Sequence, residues 1–426
     1  MNASLRESIT TLGSRPFAQW RADECFGALS QGTALLDDVL YFKAEGFRLC
    51  LKTDHPELLT RLADYFRHCA QILPSTRLHE VAGQDVPIMH ALSAPRLEDS
   101  PRAEALGLVP EAFVDWQPEP GKTRRKDAII ELVDARLIFK VRTGMCFLRS
   151  REHNLAFGPC ADNESQIINF LLTQHMSYLQ HQGGLICHAS AIAKGDRAVA
   201  IAAFSGGGKS TTMVAALEHP ALDFISNDRV FIMPALSEES LEEEVPQGHL
   251  PSDLLLAGQS LTGQPPRVCG IAKLPRINPG TMLNNPRLRP LLTPECVAAC
   301  EAMPIDELWD LEDKHDLIIP DVYGPDRIRP SGILSAVLIL NWTRGSQAPL
   351  EVKEVDVMAN ASLMRAVMKT PGPFHQLSDG RFIANGTLLD PVPYLARLKQ
   401  VRVLEVTGGV DFARLIDGHL NPLLEV

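Results

Sequence analysis

The residues with the clearest chemistry stand in one run, Ala203-Phe204-Ser205-Gly206-Gly207-Gly208-Lys209-Ser210, which reads A-x-x-x-x-G-K-S. That is one residue short of the phosphate-binding pattern G-x-x-x-x-G-K-[ST]. Three successive glycines let a backbone wrap an anion, because glycine accepts positive φ without a steric penalty. The N–H groups of such a loop, and of the helix it opens, offer partial positive charge to phosphate. Lys209 is placed to reach the β- and γ-phosphates, and the Ser210 hydroxyl to ligate Mg²⁺. The expected ligands are therefore ATP and Mg²⁺, held by Ser205, Gly206, Gly207, Gly208, Lys209, Ser210 and Thr211. Ala203 stands where the pattern has its first glycine. A methyl is compatible with that position as long as φ stays negative.

The loop needs a strand before it and a helix after it, and the flanks supply both. Ala198 to Ala202 is an apolar run fit for a buried strand, and Ser210 to Leu217 opens a helix. Leu185 to Ala193 reads as a strand, and Lys194-Gly195-Asp196-Arg197 as the turn that folds it back as a hairpin. This strand carries His188. Downstream, Phe224-Ile225-Ser226-Asn227-Asp228-Arg229-Val230-Phe231-Ile232 places an acid at the end of a short apolar strand, a Walker B-like position. Asp228 is a candidate proton acceptor for a hydroxyl. The alternative is a Walker B acid that only holds Mg²⁺ through water. His188 is a candidate for orienting a γ-phosphate.

With His188-Ala189-Ser190, Ser205 to Thr211 and Ser226-Asn227-Asp228-Arg229 in this order, the chain resembles HPr kinase/phosphorylase and its relatives, and among them the group called HPr kinase-related kinase B. The resemblance spans roughly residues 126–426, with firm motifs in 186–232. It implies an α/β fold: a P-loop domain with a mixed sheet, shared with phosphoenolpyruvate carboxykinase, and a small N-terminal α+β domain. It also implies an ATP- and Mg²⁺-dependent kinase acting on a hydroxyl, with Lys209, Asp228 and His188 as catalytic residues and Ser210 and Asp228 at the metal. Asn227 replaces the first aspartate of the pair that the family carries. The family's E-[IV]-R-G-[IL]-G segment has no counterpart in register; the nearest stretch is Arg267 to Ala272, and Arg276 is the candidate replacement for its arginine. These departures count against phosphorylase activity and against HPr as the acceptor. The family's rings imply a homo-oligomer.

Composition bounds the partners. A net charge of −11 argues against nucleic acid or an anionic membrane as the main partner. The nine scattered cysteines, with no C-x-x-C pair, fit reduced thiols better than a disulfide framework or zinc site. The first residues lack the apolar core of a signal peptide, and the longest apolar stretch, Ile333 to Leu340, is too short to span a bilayer. A cytoplasmic protein is the expectation.

The chain divides by pattern into 1–93, a small α+β unit; 94–127, a proline-punctuated linker; and 128–426, the P-loop domain. In the first, two strands flank Glu45-Gly46, and a helix capped by Asp54 buries Leu58, Leu62, Tyr65, Phe66 and Cys69. His55 and His68 read as solvated or capping residues. In the third, Ala128 to Val133 pairs with Arg136 to Arg142, and Ser165 to Gln180 forms a helix capped by Asn163, with His175 and His181 on its surface. The acidic run 237–244 reads as a solvated loop, with Glu244 as the one acid that could replace a metal ligand. Arg267, Lys273, Arg276, Arg287 and Arg289 form a loop-borne cation cluster suited to a phosphate or an anionic substrate, with Arg327 a weaker candidate. Ile333 to Asn341 is a buried strand, Ala359 to Met368 a helix, and Val401 to Val406 the last strand.

Two functions follow from these residues. One is a kinase for an unidentified protein or small-molecule acceptor. The other is a catalytically weak ATP-binding module that signals its nucleotide state to a partner. A carboxykinase-like action on an organic acid is possible on fold alone, which does not fix function.

Overall fold

Glu45 and Gly46 both take positive φ, 44° and 76°. Positive φ at both central residues is what a two-residue hairpin turn requires, and it joins β1 (Asp38–Ala44) to β2 (Phe47–Thr53) with Ala44 opposite Phe47. The computed structural model describes residues 9–82, 86–117, 125–204, 206–235, 265–311 and 313–425. It is a mixed α/β chain built on two large mixed sheets.

Contacts divide the chain into two units. One takes in the chain up to His181 together with Thr370–Leu388; the other is Gln182–Lys369 with Leu389 onward. In the first unit β3 (Ala70–Pro74) flanks β1, and β4 (Ile88–Ser93) runs parallel to β2. The strands β5 (Val114–Asp115), β6 (Asp127–Glu131), β7 (Ala135–Lys140), β8 (Met145–Ser150) and β9 (Asn154–Gly158) form an antiparallel meander. Because β4 also pairs with β9, in parallel, the order is β3-β1-β2-β4-β9-β8-β7-β6-β5.

This corrects the expected division at 93 and 127. Strands on both sides of the proline-punctuated stretch are hydrogen-bonded into one sheet. The stretch itself is packed: Leu97, Ala103, Leu106, Leu108 and Phe113 are buried in that sheet's core. Pro101 and Pro110 open short helical turns, where the missing N–H costs nothing. Residues 118–124, with Pro118, Pro120, Lys122 and Arg124, lie outside the described residues.

Other local expectations also change. The helix after β2, Pro56–Tyr65, is capped by His55, whose Nδ1 accepts from the Leu58 N–H at 3.3 Å. Asp54 instead accepts from the Ser93 N–H. Leu58, Leu62 and Phe66 are buried as expected, whereas Tyr65 and Cys69 are only half-buried. The long helix is Glu164–His181, and the Asn163 amide donates to the Pro159 carbonyl instead of capping it. That helix is buried around most of its circumference, so His175 is fully buried and not on the surface. Its ring stacks on Phe47 at 5.4 Å between centroids, and neither of its nitrogens meets a partner among the described residues. His181 is half-buried, with Nε2 2.8 Å from the Gln376 carbonyl.

These histidines set an acid limit on stability. Burial pushes His175 and His375 down to about 3, and His68 and His90 down to about 4. The unfolded chain, with histidines near about 6.5, binds protons first as pH falls. The stability these groups hold above about pH 6.5 is therefore lost toward pH 3, at about 1.4 kcal/mol per pH unit for each fully displaced group. Urea midpoints should drop between pH 7 and pH 4, and drop less in His175→Leu. Equal slopes in the two proteins would contradict this.

In the second unit the sheet order is β10-β14-β15-β18-β12-β11-β13, with β20 beside β18 and β19 beside β20. The strands are β10 (Leu185–Cys187), β11 (Ala189–Lys194), β12 (Arg197–Ala203), β13 (Asp223–Ser226), β14 (Val230–Met233) and β15 (Arg267–Gly270), then β18 (Ser331–Leu340), β19 (Glu351–Glu354) and β20 (Arg402–Thr407). A small separate pair joins β16 (Arg276–Ile277) to β17 (His315–Asp316). The hairpin β11–β12 forms with Lys194 opposite Arg197. The strand expected over 185–193 is broken at His188, and its first part pairs with β14 instead.

Side chains of β12 alternate between two cores. Val199, Ile201 and Ala203 join Met213, Val214 and Leu217 of the following helix, while Ala198, Ala200 and Ala202 join Met364, Val367 and Leu398. β18 alternates likewise and pairs with β12 in parallel, from Arg197↔Ile333 to Ala203↔Leu340. A sheet covered on both faces holds its strand ends rigidly, and the phosphate-binding sequence sits at the end of β12. The helix expected over 359–368 is shorter, a 3₁₀ turn Ala361–Leu363 followed by Met364–Val367.

The cysteines among the described residues are free thiols. No helix among the described residues is long and apolar enough to cross a membrane.

Candidate functional site

β12 ends at Ala203 and the Lys209–Leu217 helix begins six residues on, with a glycine loop between them. Ser205 lies outside the described residues. Gly206 and Gly208 take φ of 72° and 84°, which any side chain would strain. Gly207 is required for space: a Cβ there would lie 2.7 Å from the Ala203 Cβ and 2.9 Å from the Phe204 carbonyl. Ala203 is a buried strand residue without positive φ, so its methyl is accommodated, and the bare Gly207 makes room for it.

Two side chains from just beyond β18 hold the loop. The Trp342 indole N–H donates to the Gly207 carbonyl at 3.0 Å, and the Arg344 guanidinium donates to the Gly206 carbonyl at 2.7 Å. Arg344 also pairs with Asp310 and lies over the Trp309 ring. Neither Trp342 nor Arg344 was singled out from sequence. Their polar or aromatic character at the end of a buried strand was the available signal.

Asn227 ties the loop to the neighbouring strand. Its Oδ1 accepts from the Ser210 hydroxyl at 3.1 Å and from the Ser190 hydroxyl at 2.9 Å, in a buried position. The Ser210 proton is thus committed to Asn227, which leaves the oxygen's lone pairs for a cation. Mg²⁺ takes hard oxygen donors and only one or two protein ligands beside substrate phosphates. The Ser210 hydroxyl is one such donor and fits Mg²⁺ beside substrate phosphates; the Asp228 carboxylate, the other expected ligand, is faced instead by His188, Lys369 and Arg229. Among the described residues no group of three or more His, Cys, Asp or Glu could hold a metal alone. Thr211 bonds to the Thr281 hydroxyl at 2.8 Å. Glu244 lies outside the described residues.

Asp228 adopts φ of 70°, a conformation that Asp tolerates better than most residues. The tight turn is held by the Ser226 hydroxyl donating to the Arg229 carbonyl. Three basic groups converge on the carboxylate: His188 Nε2 at 3.5 Å, Lys369 Nζ at 3.7 Å and Arg229 Nε at 3.8 Å. Half of the Asp228 side-chain surface meets solvent, yet the atoms around it are dense enough that burial alone would push its carboxyl up. The His188 hydrogen bond and the charges of Lys369, Arg229 and His188 outweigh that and hold it well below the usual carboxylate range. For His188 the Asp228 hydrogen bond favours the proton, but burial and the charges of Lys209 and Lys369 prevail and lower it. His188 is therefore predominantly neutral near pH 7, and it lies within electrostatic reach of the loop lysine.

Sequence reasoning missed Lys369. It arrives because the His188 N–H donates to the Val367 carbonyl at 2.7 Å and Cys187 bridges to Met368. The cation cluster read from sequence splits. Lys273 is on the site side: burial, then Arg229, push it down to about 8, while Asp228 acts against them. Arg276 engages the Lys314 carbonyl and Asp316, and its charge is felt at Lys273. Arg287 and Arg289 pair with Glu218 and Glu301. Arg327 caps the carbonyls of Leu217 and His219 and pairs with Asp223, which makes it structural.

No family model matches the chain, and no curated protein matches it.

Proposed function

We propose that this chain is a Mg²⁺-dependent ATP phosphotransferase acting on a hydroxyl, with the HPr kinase-like P-loop architecture that its motifs imply. The observation that carries the reading is that the Ser210 hydroxyl of the glycine loop donates to Asn227 at 3.1 Å, while the next residue, Asp228, meets His188 at 3.5 Å. A phosphate-binding loop and a candidate proton acceptor therefore share one site. The acceptor's oxygen attacks the γ-phosphorus, the bond to the β–γ bridging oxygen breaks, ADP leaves, and the hydroxyl proton passes to Asp228. Lys209 and Lys369 offset the charge on the transferring group. Neutral His188 orients Asp228. Mg²⁺, when bound at Ser210, supplies further positive charge to the phosphates.

Asn227 favours a second reading. An aspartate there would accept the same two bonds and add a charge, so its loss fits a module that binds ATP and signals to a partner without turnover. Both readings require MgATP at the loop. Calorimetric titration should show saturable MgATP binding, weakened on the order of 100-fold in Lys209→Ala. Equal affinity in the two proteins would remove both readings.

A further inference from the structure

We propose that the first unit holds a small oxyanion, a phosphate or a carboxylate, between Arg149 and Arg151 at the end of β8. The site is independent of the nucleotide loop. Like charges directly opposite each other on paired strands repel, and the sheet sets Arg149 of β8 opposite Arg136 of β7. Both are buried, at 7% and 1% exposure. Arg136 has an anion: Glu131 pairs with it at 2.5 Å, and the carbonyls of Pro373 and Ile383 take further N–H groups. Arg149 has none among the described residues. Its Nη1 donates to two neutral groups, the Ser150 carbonyl and, at 2.7 Å, the Asn154 amide oxygen, and its Nε is buried with no partner.

A buried charge is costly unless it is paired. Burial pushes Arg149 down to about 10, so it still carries its proton at neutral pH. The neighbouring groups do not offset it. His181 feels both Arg149 and Arg151, and His375 feels Arg149; burial leads in lowering both rings, so they are predominantly neutral. The fork of a guanidinium matches two oxygens of a carboxylate or phosphate. A cleft of about 860 Å³ reaches this place, and Ser150, Arg151 and Gln376 line it. Ser150 and Gln376 are the residues whose carbonyls engage Arg149 and His181. The cleft also carries acids. Asp23 and Asp134 share Arg21, Asp379 pairs with Arg381, and Glu131 with Arg136; each of these four carboxylates is more than a third exposed, so water screens it. Glu152, next to Arg151, is exposed too. The recessed and unscreened charge is that of Arg149, and exposed Arg151 stands at its entrance without an ion pair among the described residues.

The test is isothermal titration of the full chain carrying Lys209→Ala, which removes the loop lysine as a rival site for phosphate. The probes are inorganic phosphate and acetate, in chloride buffer of constant ionic strength. At least one of them should bind saturably, and which of the two binds assigns the oxyanion. Adding Arg149→Met or Arg151→Met removes a charge and keeps an apolar stem; each should weaken that binding about 10-fold or more. The bound anion should also raise the urea midpoint above its value in chloride, and Arg149→Met should lose that rise. General salting effects act on both proteins alike and cancel in the comparison. No binding of either anion, or an affinity unchanged in both arginine variants, would overturn the proposal. Arg151 is exposed, so its variant decides the matter even where Arg149→Met does not fold. Neither result bears on MgATP, which is titrated separately against the wild type.

Discussion

Asp228→Asn should lower phosphoryl transfer by about 10³-fold while changing MgATP affinity by less than about 3-fold. Asparagine matches aspartate in shape and tolerates the positive φ found at this position, so the turn should survive. What it loses is the charge and the capacity to take a proton. The His188 hydrogen bond and the Lys369 and Arg229 charges hold the Asp228 carboxyl well below the usual carboxylate range, so it is ionised near neutral pH. A carboxylate held this low is a weak base in the resting site. Its contribution is to orient the hydroxyl and take the proton late, as a loose transition state requires. The variant also loses the bond that favours the His188 proton, so the His188 pKa should fall further. Histidine NMR titration of the two proteins reads that shift independently of turnover. Retained transfer in Asp228→Asn would reduce Asp228 to a positioning group for the turn.

Gly207→Ala should weaken MgATP binding roughly 10- to 100-fold, the cost of forcing one extra carbon into a packed place. The new methyl would lie 2.7 Å from the Ala203 Cβ, below any real contact distance, and 2.9 Å from the Phe204 carbonyl. The loop must move, and with it the Gly207 carbonyl that Trp342 holds. Ala203→Gly in the same chain removes one of the two clashes and should recover part of the affinity. Strict additivity of the two changes, measured by the same titration, would mean that the Ala203 methyl does not bear on the loop.

The site was legible wherever chemistry follows a local pattern. The glycine loop, the strand before it, the helix after it, the β11–β12 hairpin and the Asp228 turn all lie within one stretch, where spacing constrains geometry. Lys369 was not legible, because it meets Asp228 across a long sequence separation through a backbone bond from His188 to Val367. Nothing in the local run around Lys369 marks it as basic for a reason. Arg327 misled for the opposite cause: a polar turn looks the same whether its arginine binds a ligand or caps a helix.

The division into units failed on prolines. Proline punctuation implies breaks, yet Pro101 and Pro110 start helical turns whose neighbours are core. The pairing of β4 with β9 joins strands on opposite sides of that stretch, and no local signal encodes it. A helix with one apolar face would leave His175 on its surface. The helix is instead buried nearly all round, which its mixture of apolar and small polar residues conceals.

Transfer of label from ATP labelled at the γ-phosphate into a cell extract, with wild type beside Lys209→Ala, tests the central claim most directly. The account predicts label in a hydroxyl-bearing component of the extract with wild type and none with the variant. ATP bound by wild type, with no label leaving it in any fraction, would contradict a phosphotransferase and leave the nucleotide-sensing module as the function of the loop.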